Sequence, residues 1–489
     1  MGNSLNDILD TKMSRKDFIM KVGVGAAVVT GLGAGVKVLN YNHNLKQASA
    51  LNGTQPTNGI TGVSGGGTAV DPATYVNVKD FGAVGDGVTD DTNAVKAAIA
   101  AANPATAGVK ATVVLFPYTP KGYVVNTIGL PNGVSLIGES MVLLQRSGVA
   151  DGVWIQLNSN TSVQNLTLNS KGLSQTRIIL CKEGAKNVLI RDCAISDGLN
   201  FSTIGIDTDP MVRYLTVDNC TFTDVYAPIF MNNGEEKIQI TNNEMTGWGK
   251  YAICVIGRAE KDINGDDKYY AVNNINIENN IIRNSNPKSE ERQPIRFQGI
   301  DKKLHQKVSI INNTVVGLDT AYSTGGNADL ISLHRCTDFI VSGNRLYNGG
   351  EVGITVAQQS ERGVVSNNIC IASDSVAICI GSLESSYTRS ISVTGNVLFN
   401  SCKNRAGVNK EERLKTGIQL SKADHITVTA NVMGDNAAVR TQLHGVSMSF
   451  ASEIDLCANT GTNLGGSLYY FDPRRPSSNV RSVATTKLA

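Results

Sequence analysis

Apolar and polar residues alternate in short β-branched runs through most of this chain, as in Ile275-Asn276-Ile277 and Ile426-Thr427-Val428. A period of two predicts half-buried strands and excludes helical repeats. The runs end in a recurring phrase that sets an asparagine after the strand, at Asn243, Asn280, Asn313, Asn344, Asn368, Asn396 and Asn431. Cys193, Cys220 and Cys457 are read into the same slot. Intervals range from 23 residues (220 to 243) to 37 residues (243 to 280). Such periods predict a solenoid whose coils keep a fixed cross-section and take insertions of variable length. An asparagine or cysteine stacked at an inward bend satisfies turn backbone groups that water cannot reach, so the ladder is read as structural.

Composition supports one elongated domain. The 49 glycines and the many Asn-Asn and Asn-Gly steps supply tight turns between short strands. The simplest architecture is all-β, a right-handed parallel β-helix with a short N-terminal capping helix. The formal charge is only +2, without a basic run or interleaved aromatic strip, so a nucleic-acid partner is not expected. Nine cysteines, an odd number without a Cys-x-x-Cys, read as buried free thiols. His43, His305, His334, His425 and His444 form no recognisable metal motif.

Residues 1–50 differ from the rest. Lys12, Arg15, Lys16 and Lys21 precede an apolar stretch from Val22 to Val36, and Ala48-Ser49-Ala50 follows as a small-residue step. This reads as an export signal, or as an anchor if it is not cleaved, and places the protein outside the cell or on its surface. Residues 51–74, rich in Gly, Thr, Ser and Pro, read as a flexible linker. The β-helix is assigned to 75–460 and a C-terminal cap or tail to 461–489.

The ordered part opens with Lys79-Asp80-Phe81-Gly82-Ala83-Val84-Gly85-Asp86-Gly87-Val88-Thr89-Asp90-Asp91-Thr92. Thr89 or Asp90 can cap a helix over Asn93 to Ala101. The segment closely resembles the start of the pectate-lyase-like superfamily. Val113-Val114-Leu115-Phe116-Pro117, Gly122-Tyr123 and Val134-Ser135-Leu136-Ile137-Gly138-Glu139 resemble that family's first coils in the same order. The resemblance implies a right-handed parallel β-helix. It also implies a partner among extended polysaccharides, handled by hydrolases, lyases, epimerases or phage tailspikes. The Asp-Pro-His-Glu signature of alginate epimerases and the Gly-His-Gly step of polygalacturonases are absent.

A second set of strands aligns through Gly205-Ile206, Pro228-Ile229, Ala252-Ile253, Pro294-Ile295, Leu330-Ile331, Gly353-Ile354 and Gly417-Ile418. With the isoleucines inside, Asp207, Asp209, Arg296, Gln298, Ser332 and His334 face out as a polar strip. Insertions beside it carry Arg258, Asp319 and Asp329, and Asn232 adds a polar group. Tyr226, Trp248, Tyr269 and Tyr270 are assigned to stacking on sugar rings.

The strip admits three functions. In the first, hydrolysis, Asp207 and Asp209 act as a carboxylate pair about 6.5–7 Å apart at the backbone, with mutual repulsion keeping one protonated; no cofactor is needed. In the second, elimination from a uronic acid, Arg296 clamps the carboxylate and His334 or another outward group is the base, with calcium assisting through Asp207 and Asp209. The third is glycan binding without cleavage, as by a tailspike or adhesin. An exported enzyme is expected to be a monomer and a tailspike a homotrimer. Asp262-Ile263-Asn264-Gly265-Asp266-Asp267 resembles half a calcium loop, but Asn273 stands where the closing glutamate belongs.

Overall fold

The computed structural model describes residues 75–488, apart from 107, 109–111, 147–151, 172–175, 197–202, 233, 262–263, 284–292, 318–327, 385, 404–410 and 484–485. The expected export signal and linker lie outside the described residues, as do Asp319 and the first residues of the calcium-loop-like turn. The chain divides at residue 68, and the unit from Ala69 onward carries every described residue.

Strands stack coil upon coil in parallel. One wall is a 13-stranded sheet in strict sequence order, running through Ile204–Thr208, Ala227–Met231, Tyr251–Ile256, Gln293–Gln298, Ile331–His334 and Ile354–Ala357 to Tyr469–Phe471. Between its strands the chain adds a longer and then a three-residue strand to the remaining wall, such as Glu236–Thr241 followed by Glu244–Thr246. Ile206, Ile229, Ile253, Ile295, Ile331, Ile354, Ile378 and Ile418 lie in register and are fully buried. Each contributes about 1.5–3 kcal/mol by leaving water, and the stack fixes which side chains face out.

The bend after each longer strand explains the asparagine phrase. Its first residue is left-handed, as at Asn242 (φ 58°), Asn279 (58°), Asn312 (56°) and Asn367 (54°), a conformation open chiefly to Gly, Asn and Asp. Gly343 fills this place in one coil (φ 68°), where an added Cβ would stand 2.3 Å from Asn312 Oδ1. The second residue turns inward. Asn280 Nδ2 donates to Asn313 Oδ1 at 2.9 Å and to the Ile240 carbonyl at 2.9 Å, and the pattern repeats through Asn313, Asn344, Asn368, Asn396 and Asn431. Cys220 joins this ladder through its backbone N–H, which donates to Asn243 Oδ1 at 2.9 Å. Cys457 does not belong to it. It pairs in register with Thr429 inside a strand, and Asn459 takes the ladder position, accepting from Asn431 Nδ2 at 3.0 Å. All nine cysteines are free.

The helix spans Thr92–Ala101 and packs Val95, Ala98 and Ile99 onto the first coils. Asp90 Oδ1 accepts from the Thr92 N–H at 2.9 Å, while Asp91 accepts from Val84 and Gly85 N–H and ties down the opening loop. These acids thus hold the cap together, and they cover an end that would otherwise expose core.

Candidate functional site

Strand register gathers the outward positions of the 13-stranded sheet into one row: Asp207, Phe230, Cys254, Arg296, Ser332, Thr355, Cys379 and Gln419. The expected polar strip is therefore broken. Phe230 and Cys254 separate Asp207 from Arg296 by three strand spacings, about 14 Å, so the hydrolase and elimination candidates form two clusters.

In the first cluster, Asp207 is only 4% exposed and Arg177 of the preceding coil meets it, Nε to Oδ2 at 3.0 Å. Asp209 is met by Lys182 at 3.1 Å. Burial raises the Asp207 pKa to about 6, opposed by Arg177 and by the Thr208 N–H, with the Asp209 charge the smallest contribution. Desolvation, rather than repulsion within the pair, keeps a proton there. Glu235, which sequence reasoning missed, is fully buried beside them; it accepts from the Thr208 hydroxyl and, at 3.2 Å, from the Asn232 N–H. Each strip carboxylate already faces a cation, so the two do not present an open calcium site. Among the described residues, no three His, Cys, Asp or Glu side chains converge to hold a metal ion.

The second cluster centres on Arg296. Its guanidinium donates to the Tyr251 hydroxyl at 2.9 Å and lies 5.4 Å from the centre of that ring, which fixes it over the sheet. On one side, Gln298 Nε2 donates to the Gly299 carbonyl (3.3 Å) and to Gln358 Oε1 (3.2 Å). Gln298 Oε1 must then accept from His334 Nδ1, 3.0 Å away, leaving Nε2 as the basic nitrogen that receives the Ser332 hydroxyl at 3.3 Å. Burial, Arg296 and Arg335 lower the His334 pKa to about 4, so the ring is neutral. On the other side stand Asp329 and Glu351. Burial raises Asp329 to about 6, against the pull of the Val352 N–H and Arg296. Burial and then the Asp329 charge raise Glu351 to about 8. Glu351 does not stand out in the sequence. It is a lone acid between Gly350 and Val352, and only the stacking of coils brings it to Asp329.

The remaining assignments scatter. Trp248 is 1% exposed and belongs to the core cluster, so it cannot stack on a sugar; in sequence, a large ring after a short strand reads equally well as a loop residue. Arg258 and Tyr269 lie on an antiparallel hairpin, Arg258–Lys261 with Asp267–Tyr270, at the corner beyond Gln298. Arg258 pairs with Glu260 at 2.9 Å, and Lys302 stands 5.0 Å from the Tyr269 ring. Toward the C-terminal end, the segment with the short helix Glu412–Leu414 lies over the sheet. Ser447 Oγ donates to the Arg413 carbonyl at 2.7 Å, and the outward row is closed there.

Two family descriptions match. Residues 75–153 match "Rhamnogalacturonase A/epimerase, pectate lyase-like", and residues 126–268 match "Right handed beta helix region". Among curated proteins, plasmin and fibronectin-binding protein A of Streptococcus pneumoniae is 25% identical over 306 residues, 56% of this chain. The chain spans 39% of that relative's length. Among solved structures, the surface adhesin PfbA of Streptococcus pneumoniae is 18% identical with a TM-score of 0.55, over 81% of this chain and 93% of that one. The A-module of the Azotobacter vinelandii mannuronan C-5 epimerase AlgE6 is 16% identical with a TM-score of 0.54, over 85% and 99%. Tailspike protein 3 of bacteriophage CBA120 is 13% identical with a TM-score of 0.52, over 84% and 61%. The chain is a right-handed parallel β-helix, the fold that it shares with these solved structures.

Proposed function

We propose that this is an extracellular polysaccharide-binding β-helix that holds an acidic glycan along the sheet face centred on Arg296. The observation that carries the reading is the Arg296 guanidinium, oriented by Tyr251 and flanked by neutral His334 and by two carboxyls of raised pKa. A half-buried, pre-oriented guanidinium suits a sugar carboxylate, and below about pH 6, where both carboxyls hold their protons, they do not compete for it. The fold is shared with a mannuronan epimerase, a protein named for an acidic glycan.

Elimination is the second reading, favoured by the separation of the Asp329 and Glu351 pKa values. Near neutral pH, Asp329 is the carboxylate that can take the C5 proton, and protonated Glu351 the acid that can protonate the departing C4 oxygen. The C4–O bond breaks as the C4–C5 double bond forms, while Arg296 neutralises the developing enolate. Hydrolysis by Asp207 and Asp209 ranks lower, because Arg177 and Lys182 already engage those carboxylates.

The test is calorimetric titration of the 489-residue protein with hexamers of galacturonate and mannuronate, beside Arg296→Ala. Binding weakened at least tenfold by the substitution supports the site, and unchanged affinity rejects it. Absorbance from unsaturated uronates in the same samples would add elimination. Light scattering separates the monomer expected of an exported enzyme from the homotrimer expected of a tailspike.

A further inference from the structure

Where the strands of the 13-stranded sheet end, beyond Gln298 and His334, the corners of several coils form an open cleft of about 460 Å³. We propose that this cleft is a second saccharide subsite, selective for an uncharged sugar ring of the same glycan. The proposal rests on the strip reading above, because one glycan must reach both places.

The cleft is physically joined to the strip. Gln298 contacts both His334 (3.0 Å) and Gln358 (3.2 Å), and Arg335 bonds to Gln358 and to Asp301, its Nε reaching Asp301 Oδ1 at 2.7 Å. Asp301 lines the cleft, as does Gln359. Gln358 and Gln359 are both left-handed, with φ of 56° and 67°. Two successive non-glycine residues in that region hold a strained turn, of the kind that persists where surrounding structure over-determines it and that clusters at ligand sites.

The lining specifies the ligand by its balance of charge and its exposed ring. Asp301 is neutralised by Arg335 at 2.6 Å and Glu361 by Arg362. Arg389 lies in register between Glu361 and Asp424, and Lys302 sits over Tyr269. Two acidic and two basic side chains line the cleft, so its lining carries no net charge. The rest of the lining is Leu304, the Gln359 amide, which donates to Ser386 Oγ at 3.2 Å, and the Tyr387 ring, 42% exposed. An aromatic face beside amide and hydroxyl groups suits the C–H face and hydroxyl edge of a neutral pyranose.

The experiment places a reporter in the cleft by Tyr387→Trp. Trp154 and Trp248 are both fully buried, so a surface indole gives a separable signal. Full-length protein is titrated with cellohexaose, mannohexaose, chitohexaose, a hyaluronan hexamer and a galacturonate hexamer, following tryptophan emission and heat together. The expected result is a saturable emission change with at least one probe containing neutral rings and none with galacturonate. Gln359→Ala should weaken that probe about five- to tenfold, the worth of one hydrogen bond. Heat without an emission change for every probe overturns the cleft while leaving the strip. An emission change for galacturonate overturns the selectivity. An emission change that persists while Arg296→Ala leaves every affinity unchanged overturns the strip reading alone. Absence of binding by all five overturns both.

Discussion

Arg177 Nε lies 3.0 Å from Asp207 Oδ2 across adjacent coils, with Asp207 buried and Arg177 half exposed. The arginine thus offsets the cost of burying a carboxylate, and removing it leaves an unpaired buried charge. Arg177→Ala should lower stability by about 1–3 kcal/mol at pH 8. At pH 5, below the Asp207 pKa of about 6, the carboxyl takes a proton and the loss should shrink. Arg177→Ala combined with Asp207→Asn should recover most of the difference. Thermal midpoints of the three proteins at both pH values check this, and an equal loss at pH 5 and pH 8 would reject it.

Buried titratable groups make opposing contributions to the pH dependence of stability. Asp207 and Asp329, raised to about 6, bind a proton more tightly when folded, so each destabilises as pH rises from about 4 to 6. His305 and His334, lowered to about 4, do the reverse up to about 6.5. The two pairs nearly cancel. Glu351 remains: its folded pKa of about 8 lies above the ordinary 4.5, so its contribution is present at low pH and is lost as pH rises through 8. Stability should fall by roughly 1.4 kcal/mol per pH unit between about 6.5 and 8. Glu351→Gln should flatten that limb, and denaturant midpoints across the range read it directly.

The asparagine ladder predicts a large local cost. Asn344 Oδ1 accepts from both the backbone N–H and Nδ2 of Asn313, and its own amide donates to the Ile310 carbonyl and to Asn368. Asn344→Ala would leave the buried Asn313 N–H without its acceptor, while Asn313 Nδ2 keeps the Ile277 and Ile311 carbonyls, a cost of about 1–3 kcal/mol. Asn312→Gly, one position before the ladder, keeps the left-handed turn and should cost under about 1 kcal/mol. Urea unfolding of the two variants separates hydrogen bonding from turn geometry, and similar losses would contradict the ladder's role.

Legibility in the sequence depends on distance along the chain. The period-two runs and the inward asparagines are local, and they are legible because every coil repeats the same bend. The error at Cys457 is one of phase, since Asn459 two residues later carries the hydrogen bonds. Trp248 is misplaced because composition cannot tell a corner packed inward from one turned out. The electrostatics are hidden for a deeper reason. Arg177 and Lys182 meet Asp207 and Asp209 only because one coil rests on the next, and Glu351 reaches Asp329 in the same way. The interruption of the strip, by contrast, is local: Phe230 follows Ile229 and Cys254 follows Ile253, so the aligned isoleucines themselves put both in the outward row between Asp207 and Arg296.

The pH dependence of glycan affinity should follow the carboxyl pair and not the histidine. His334 is already neutral at pH 5.5, since its pKa is lowered to about 4, and an NMR titration should find no protonation of its ring between pH 5.5 and 8. Asp329, by contrast, ionises through about pH 6 and Glu351 through about pH 8. Asp329 stands near Arg296 and Glu351 stands near Asp329, so each new negative charge opposes the approach of an acidic sugar. Affinity for a galacturonate hexamer should therefore decline about tenfold or more from pH 5.5 to 9, by like-charge repulsion in a partly desolvated site. Glu351→Gln should remove the upper part of the decline, and His334→Gln should leave the profile unchanged even if it lowers affinity overall. A profile that flattened in His334→Gln and persisted in Glu351→Gln would assign the titration to the histidine and refute this arrangement.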